Sequence, residues 1–315
     1  MAEKIENPIQ ITPIIKWAGG KKRLAPTIEA LTTQQVAFEN IDTYVEPFSG
    51  GAAFFLYLAT RYRFKHQVIM DVNAELINLY TQVRDHLADL IAELGKLETA
   101  YNTLPEDDDF TAKKAYFYDM RTTFNNGITQ SVTDEAVTEI PTLVRQAALF
   151  VFLNKTDFNG LYRVNAKGTF NVPFGRRKIV SLVDQTNLQN FSDLLQNTTI
   201  LQGDYHQSQQ FAGDRTFFYF DPPYRPLTDS ASFTSYTKSS FNDDAQVALA
   251  DFTHVLAAAG AHFALSNSDP HQSDPTDDFF DTLYQDFTIN RLTAARMISA
   301  RSKGRGNVSE LLIVH

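Results

Sequence analysis

The residues around position 220 read Phe217-Phe218-Tyr219-Phe220-Asp221-Pro222-Pro223-Tyr224. Four consecutive aromatic residues without helical periodicity predict a short, buried β-strand. Because proline has no N–H to donate to a β-ladder, the two prolines end this strand at Asp221. We therefore expect Asp221 at the carboxyl end of a strand, which is where open α/β sheets bind their ligands.

The same stretch also predicts a chemistry. It offers the Asp221 carboxylate, backbone carbonyls stiffened by Pro222 and Pro223, and the ring of Tyr224. Two acceptors can bind both hydrogens of a planar exocyclic amine, such as that of adenine, while the ring stacks on the base. Acceptors in this position favour the more tetrahedral nitrogen that develops in the transition state. Taken alone, the stretch is explained equally well by a strand and a tight turn with Asp221 as an ordinary cap.

Composition excludes several classes of site. The chain has 315 residues, 43% of them hydrophobic, and it contains no cysteine. Disulfides, thiolate metal sites and cysteine nucleophiles are therefore excluded, and the seven isolated histidines predict no metal site. No run approaches the roughly 18 apolar residues of a membrane span, and the first ten residues lack a signal-peptide core. We expect a soluble cytoplasmic protein.

Charge is unevenly distributed along the chain. The formal net charge is −9, which disfavours a nucleic-acid partner. However, residues 155–178 contain six basic side chains and one acid, and residues 291–305 contain five basic side chains and no acid. Basic surfaces of this kind can bind phosphates on a protein that is acidic overall.

The first part of the chain resembles the start of a nucleotide-binding unit. A strand over residues 43–48 leads into the turn Ser49-Gly50-Gly51 and a helix, and a second strand ends on Asp71. Asp71 lies 21 residues after Gly50 (71 − 50), where such folds bind a ribose. Because the full G-x-G-x-x-G is missing, a nucleoside-like ligand is favoured over a dinucleotide. The only tryptophan stands upstream, in Lys16-Trp17-Ala18-Gly19-Gly20-Lys21, and favours a ligand-binding loop.

A predominantly helical region follows, and it ends in a predicted β-hairpin. Between residues 72 and 157 the sequence carries no strong strand signal, whereas residues 154–178 alternate Asn, Arg and Lys with Phe and Tyr around a turn at 165–168. Arginine can bind guanine edges, basic side chains can bind phosphates, and an aromatic side chain can wedge between base pairs. A solvated hairpin without a ligand explains the pattern less well, because acids are nearly absent.

The predicted elements add up to an α/β protein with a doubly wound, mostly parallel sheet that ends in an antiparallel hairpin. We expect residues 14–72 and 196–315 to form a ligand-binding catalytic domain and residues 73–195 an inserted recognition domain. Residues 225–241 suit a mobile flap over the site. Five polar side chains at strand ends should lie along one edge of the sheet: Glu46, Asp71, Asp204, Asp221 and Asn267.

These motifs together resemble the Dam-type DNA adenine-N6 methyltransferases of the D12 class, alpha group, over residues 14–314. Residues 16–21 and Glu46-Pro47-Phe48-Ser49-Gly50-Gly51 are similar to the cofactor motifs of that family, and residues 221–224 match its catalytic motif. Residues 158–175 are similar to its recognition hairpin. The resemblance implies a Rossmann-like methyltransferase fold, base flipping, S-adenosylmethionine as cofactor and double-stranded DNA, with GATC as the target. It also implies a bacterial or phage-type enzyme, allows a restriction endonuclease as counterpart, and requires no metal.

The resemblance assigns roles residue by residue. Catalysis falls to Asp221, Pro222, Pro223 and Tyr224. Cofactor binding falls to Trp17, Ala18, Gly19, Gly20, Lys21, Glu46, Phe48, Ser49, Gly50, Gly51, Asp71, Asp204 and Asp221. DNA binding falls to Lys16, Phe158, Asn159, Leu161, Arg163, Asn165, Lys167, Asn171, Pro173, Arg176 and Arg177, with Lys16 and Arg163 as the guanine contacts. Arg177 departs from relatives that carry tyrosine there, whereas Phe158 in place of tyrosine keeps an aromatic wedge.

Three other functions compete with this interpretation. A methyltransferase acting on another planar amine would carry Asn or Ser in place of Asp221. A catalytically silent DNA-binding protein would show a damaged cofactor or catalytic motif, and both motifs are intact. A dinucleotide oxidoreductase would require the G-x-G-x-x-G turn.

Overall fold

The computed structural model describes residues 2–127, 139–227, 241–295 and 307–315. Its strands are β1 (Glu3–Lys4), β2 (Thr43–Glu46), β3 (Tyr62–Arg63), β4 (His66–Asp71), β5 (Thr198–Gln202), β6 (Thr216–Phe220), β7 (His262–Ser268), β8 (Thr288–Ala295) and β9 (Asn307–Val314). Its helices are α1 (Ala25–Thr32), α2 (Ala53–Ala59), α3 (Ala74–Asp85), α4 (Leu87–Asn102), α5 (Thr111–Asn126), α6 (Ile140–Thr156), α7 (Gln185–Leu195), α8 (Asp243–Ala258) and α9 (Phe279–Leu283).

Seven strands form one sheet in the order β5-β4-β2-β6-β7-β9-β8. The neighbours from β5 to β7 are parallel, whereas β9 is antiparallel to both β7 and β8. The predicted α/β class, with a mostly parallel sheet and an antiparallel terminal hairpin, is confirmed. Strand order reverses between β2 and β6, and such a switch point opens a crevice at the carboxyl ends of the strands.

The aromatic strand β6 is buried on both faces of this sheet. Phe217 and Tyr219 pack into one hydrophobic core, and Phe218 and Phe220 pack into the other. All four side chains have zero exposed surface. This explains why the strand is continuously apolar rather than alternating, as is typical of a central parallel strand.

The helices α3 to α7 lie between β4 and β5 in the chain. Helix α3 begins at Ala74, because the Asn73 side chain caps it by accepting hydrogen bonds from the amides of Glu75 and Leu76. Helix α6 packs against α3, α4 and α5, whereas α3 and α7 also contact β5. The helical region is therefore built around α6 and joined to the sheet through α3 and α7.

Two predictions fall largely outside the described residues. The predicted flap over residues 225–241 is described only at its ends, since residues 228–240 are outside, and the basic stretch 291–305 is described only at residues 291–295.

Candidate active site

The catalytic candidate Asp221 follows β6 directly and is paired with a buried lysine. The Lys21 ammonium lies 2.8 Å from Oδ1 of Asp221 and also donates to the Gly19 carbonyl at 2.8 Å. The Lys21 side chain is 4% exposed, and that of Asp221 is 20% exposed. Burial raises the pKa of Asp221 above its usual range, whereas the charge and hydrogen bond of Lys21 lower it. The pair keeps an anionic acceptor at the end of a central strand.

The ring of Tyr224 is held beside this pair. Its centroid lies 4.7 Å from the Lys21 ammonium, and its hydroxyl donates to Oε2 of Glu310 on β9 at 2.8 Å. Burial raises the pKa of the Tyr224 phenol well above its usual range, and the negative charges of Asp221 and Glu310 add to this effect. Tyr224 therefore stays neutral and presents an aromatic ring to the crevice.

The glycine-rich turn after β2 is tied to Asp71 at the end of β4. The Gly50 amide donates to Oδ2 of Asp71 at 3.0 Å, and the Asn73 amide donates to Oδ1 at 2.9 Å. Gly50 has a φ of +43°, and a Cβ there would lie 2.7 Å from Cδ1 of Trp17. Glycine is therefore required at position 50, both for its backbone conformation and for close contact with the Trp17 ring.

Glu46, the last residue of β2, is a buried acid between these two halves of the site. Its side chain is 2% exposed and accepts a short hydrogen bond from the Tyr44 hydroxyl. Burial raises the pKa of Glu46 well above its usual range; the Tyr44 hydrogen bond opposes this shift, and the charge of Asp221 adds to it. Glu46 therefore carries a proton more readily than an ordinary glutamate.

One cavity of about 730 Å³ joins the two halves. Every residue predicted for catalysis or cofactor binding lines it: Trp17, Ala18, Gly19, Gly20, Lys21, Glu46, Phe48, Ser49, Gly50, Gly51, Asp71, Asp204, Asp221, Pro222, Pro223 and Tyr224. Its volume is within the range of small-molecule sites, roughly 300–1,000 Å³. Of the five residues predicted at strand ends, Glu46, Asp71, Asp204 and Asp221 line this cavity, whereas Asn267, within β7, lies outside its lining.

The predicted hairpin begins where α6 ends. Its two arms meet at the isolated bridges Asp157–Phe174 and Val164–Phe170, and the turn closes with a 2.9 Å hydrogen bond from the Gly168 amide to the Asn165 carbonyl. The arms are therefore β-like but form no continuous ladder. The Arg163 guanidinium donates to the Asn171 side chain at 2.7 Å, which links the arms on the exposed side.

Most of the predicted DNA-binding side chains are exposed. The exposed ones are Lys16, Phe158, Asn159, Arg163, Lys167, Pro173, Arg176 and Arg177, whereas Leu161, Asn165 and Asn171 are half-buried. Phe158 is a large apolar side chain that is 51% exposed, next to two residues with left-handed backbone, Asn159 and Gly160. An exposed aromatic residue on a stiff, strained turn is suited to contact a partner.

A buried asparagine joins the N-terminal motif to this hairpin. Asn154, in α6, accepts from the Lys16 amide at 2.7 Å and donates to the carbonyls of Lys16 and Gly160 at 2.9 and 3.1 Å. The Trp17 ring stacks on Tyr162, with centroids 5.5 Å apart. The loop that lines the cavity and the base of the hairpin are therefore one connected structure.

A family model described as D12 class N6 adenine-specific DNA methyltransferase matches residues 17–298. The chain belongs to this family. Its fold class, its enzyme class and the resemblance found in its sequence are thereby confirmed.

Curated relatives cover nearly the whole chain. Type II methyltransferase M.MjaIII of Methanocaldococcus jannaschii is 41% identical over 98% of this chain and 100% of that protein. Type II methyltransferase M1.LlaDCHI of Lactococcus lactis subsp. cremoris is 36% identical, over 98% of this chain and 97% of that protein. The DNA adenine methylase of Escherichia coli K12 is 30% identical, over 96% and 94%.

Several residues around the methyltransferase cavity were not predicted to bind a ligand. Tyr162, Tyr205 and Phe241 add aromatic surface to its wall, and Val72, which is 67% exposed, lies next to Asp71. Tyr162 was assigned only to the hairpin. The place of Val72 in the cavity wall could have been predicted from the sequence, because an apolar residue directly after a strand-end acid is positioned to contact the same ligand.

Asp204 is the most exposed of the strand-end acids. It follows β5, its side chain is 56% exposed, and it accepts from the His206 amide at 3.0 Å. It lines the cavity at its open side, whereas Glu46 and Asp221 lie deeper.

A cluster of possible metal ligands lies elsewhere in the described chain. Ligand atoms of His271, Asp278 and Asp281 lie within 4.8 Å of one another. The Arg291 guanidinium is 2.7 Å from Asp281 Oδ2 and 2.9 Å from His271 Nδ1. Because the Arg291 guanidinium already contacts both Asp281 and His271, we interpret the cluster as an ion-pair network. Within the described ranges, no helix combines the length and apolar character needed to cross a lipid bilayer.

Proposed function

We propose that this protein transfers a methyl group from S-adenosylmethionine to N6 of an adenine in double-stranded DNA. The observation that carries the proposal is the position of the Asp221–Lys21 pair and Tyr224 in the same cavity as the Gly50 turn and Asp71. An amine-binding corner and a nucleoside-binding corner in one enclosed site suit a transfer between two adenine-containing ligands.

The cavity fits S-adenosylmethionine on chemical grounds. The Asp71 carboxylate is suited to accept hydrogen bonds from ribose hydroxyls, and the exposed Val72 side chain is suited to contact the face of an adenine ring. The Phe48 ring adds an apolar wall to the cavity. Residues 17–21 would hold the amino-acid end. When bound, this cofactor supplies an electrophilic methyl group on a sulfonium. Enclosure of both ligands provides positioning, which can account for a large part of such a rate enhancement.

At the catalytic corner, the protein's own task is to accept hydrogen bonds. Asp221 and the Pro222 carbonyl would each accept one N6 hydrogen, and Tyr224 would stack on the base. Acceptors aimed at both hydrogens stabilise the positive charge that develops on N6 during attack. Lys21 holds the Asp221 carboxylate in its acceptor form, because a neighbouring cation favours ionisation.

Target recognition would be the task of the hairpin. A base inside a duplex cannot reach the cavity, so the adenine must be flipped out, at a cost of a few kcal/mol. Phe158 would wedge into the gap, and Lys16 and Arg163 would bind guanines of a GATC site. The remaining basic side chains, Lys167, Arg176 and Arg177, would bind phosphates.

The proposal extends to organisation and partners. We assign cofactor binding and catalysis to residues 14–72 and 196–315, and target recognition to residues 73–195. Because two relatives are named Type II methyltransferases, a restriction endonuclease with the same target is the counterpart we propose.

Methyl transfer to two duplexes tests the proposal. One contains GATC, and in the other both central A·T pairs are replaced by G·C pairs; the donor is methyl-labelled S-adenosylmethionine. We expect label on the first duplex only, recovered as N6-methyladenine. Label on both duplexes would refute the GATC target and keep the chemistry. Cofactor binding without any transfer would instead support a catalytically silent DNA-binding protein or another amine substrate.

A further inference from the structure

Two fully buried amide side chains lie behind the catalytic turn, outside the lining of the cavity. Gln246, in α8, donates to the Pro223 carbonyl at 3.0 Å, and Asn267, in β7, donates to Oε1 of Gln246 at 2.9 Å. The chain of bonds closes when the Arg225 amide donates to Oδ1 of Asn267 at 3.1 Å. Both side chains have zero exposed surface. The backbone on either side of Tyr224 is therefore held by one continuous chain of hydrogen bonds.

The direction of this chain is fixed by its two ends. A carbonyl such as that of Pro223 can only accept, and an amide N–H such as that of Arg225 can only donate. Asn267 must therefore present its oxygen to Arg225 and its nitrogen to Gln246, which leaves the Gln246 nitrogen for Pro223. An apolar side chain at either position would break the chain, since it can neither donate nor accept.

The two prolines explain why side chains, in addition to backbone amides, hold this turn. Pro222 and Pro223 lack N–H groups, so the turn after β6 has lost two backbone donors. The Ser268 hydroxyl adds a further bond from behind, donating to the Arg225 carbonyl at 2.7 Å. The far end of the Tyr224 side chain is held separately, through its hydroxyl and Glu310. The ring is thus fixed both at its backbone and at its hydroxyl.

We propose that Gln246 and Asn267 are positioning residues that hold the Pro223–Arg225 backbone and thereby place the Tyr224 ring against the target base. This inference rests on the proposed function. Their contribution is to the rate of transfer, because a small displacement of a group that orients the reactants is costly, about 10²-fold for 1 Å. Binding of cofactor and of duplex should be unaffected, since neither side chain lines the cavity.

The test is a double-mutant cycle between Gln246→Met and Tyr224→Ala, read as single-turnover methyl transfer to the GATC duplex. In the wild-type background, Gln246→Met should lower the rate by about 10²-fold, with unchanged dissociation constants for cofactor and duplex. In the Tyr224→Ala background the same substitution should have little further effect, because the ring that it displaces is gone. Asn267→Ala breaks the same chain from β7 and should reproduce this result.

Gln146→Met is the matched control. Gln146 is also buried, at 4% exposure, and its nitrogen donates to the Phe124 carbonyl at 3.1 Å, but it lies in α6. An equal loss of rate in this variant would overturn the inference by showing general destabilisation. Full additivity of Gln246→Met and Tyr224→Ala, or a wild-type rate in both Gln246→Met and Asn267→Ala, would also overturn it. Absence of transfer by the wild-type protein would count against the proposed function itself.

Discussion

The cavity and the hairpin handle charge in opposite ways. At the catalytic corner of the cavity, opposite charges are sheltered and paired, as in the 2.8 Å contact between Lys21 and Asp221. In the hairpin, the side chains of the cations Arg163, Lys167 and Arg176 are exposed. Charges sheltered from water interact strongly at short range, whereas exposed charges are weak individually and screened by salt. The difference separates a region suited to stabilise a transition state from one suited to attract and read a long anion.

Removal of the buried acceptor should have the largest effect. Asp221→Ala should lower the rate of methyl transfer by about 10³-fold, because it deletes an interaction made mainly in the transition state. Duplex binding, measured by fluorescence anisotropy, should be unchanged. Asp89→Ala, at an exposed position in α4, is the control. Retained activity in Asp221→Ala would show that the buried acid is not needed for methyl transfer. The proposed division between a catalytic cavity and a DNA-binding hairpin would then lose its main support.

The buried cation should control the pH dependence of the rate. Asp221 is a stronger acceptor when it is ionised, so activity should fall as pH falls through its pKa, which burial raises and Lys21 lowers. Lys21→Met removes the lowering contribution and should move the acid limb of the pH–rate profile to higher pH. An unshifted limb would mean that another group controls it.

In the hairpin, a base-reading arginine should affect specificity rather than catalysis. Arg163→Ala should reduce discrimination at one guanine by about 1–3 kcal/mol. The measurement compares transfer rates on GATC and on duplexes with that guanine replaced. Unchanged discrimination would place the readout elsewhere, with Lys16 as the next candidate.

Asp157, a buried acid at the start of the hairpin, differs from the exposed charges of that region and should affect the stability of the fold. Asp157 has zero exposed surface, its Oδ2 has no hydrogen-bond partner in the described chain, and burial raises its pKa to about 8. The nearby cations Lys16 and Arg177 oppose this shift. Because the folded pKa exceeds the unfolded one, the folded state holds the proton more tightly, and stability falls as pH rises from about 4 to 8.

Asp157→Asn should remove this cost. We expect a gain of about 1–3 kcal/mol in the free energy of unfolding at pH 8, fading towards pH 4. Urea unfolding at both pH values measures it, with Asp89→Asn as the exposed control. A gain that is equal at both pH values would show that ionisation of Asp157 is not its cause.

The smallest effect should come from an exposed hairpin lysine. Lys167→Ala should weaken binding to all duplex sequences equally and reduce the slope of log affinity against log salt by about 1. A titration of binding against salt measures this slope. A change in sequence preference would instead make Lys167 a base contact.

Much of this architecture was predictable from local sequence. The aromatic strand ending at Asp221, the glycine turn and Asp71 each carry a short-range signal, and parallel strands bring their carboxyl ends to one edge. The contacts made by Glu310 and Gln246 were not predictable, because they depend on how β9 and α8 pack against the turn. A single glutamate or glutamine in a strand or helix carries no sign of its partner.

The hairpin shows a second limit. The types of residue in the hairpin were enough to predict its turn and its exposed basic side chains. They were not enough to predict the hydrogen bonds by which Asn154 joins the hairpin to the N-terminal loop. The two segments are 138 positions apart, and an asparagine in an apolar helix gives no indication of which backbone it will bind.

The pairing of β2 with β6 also has a consequence for synthesis of the chain. Tyr44 and Val45 pair with Phe217 and Phe218, so the inner edge of β2 stays unpaired until β6 has been made. From Asp71 to Thr216 the ribosome must add 145 residues (216 − 71), which takes roughly 10–30 s at ordinary rates. During that interval an apolar strand edge is available to other chains. Aggregation of the nascent protein should therefore depend on translation speed through the helical region, and chaperones that cover strand edges should raise the yield.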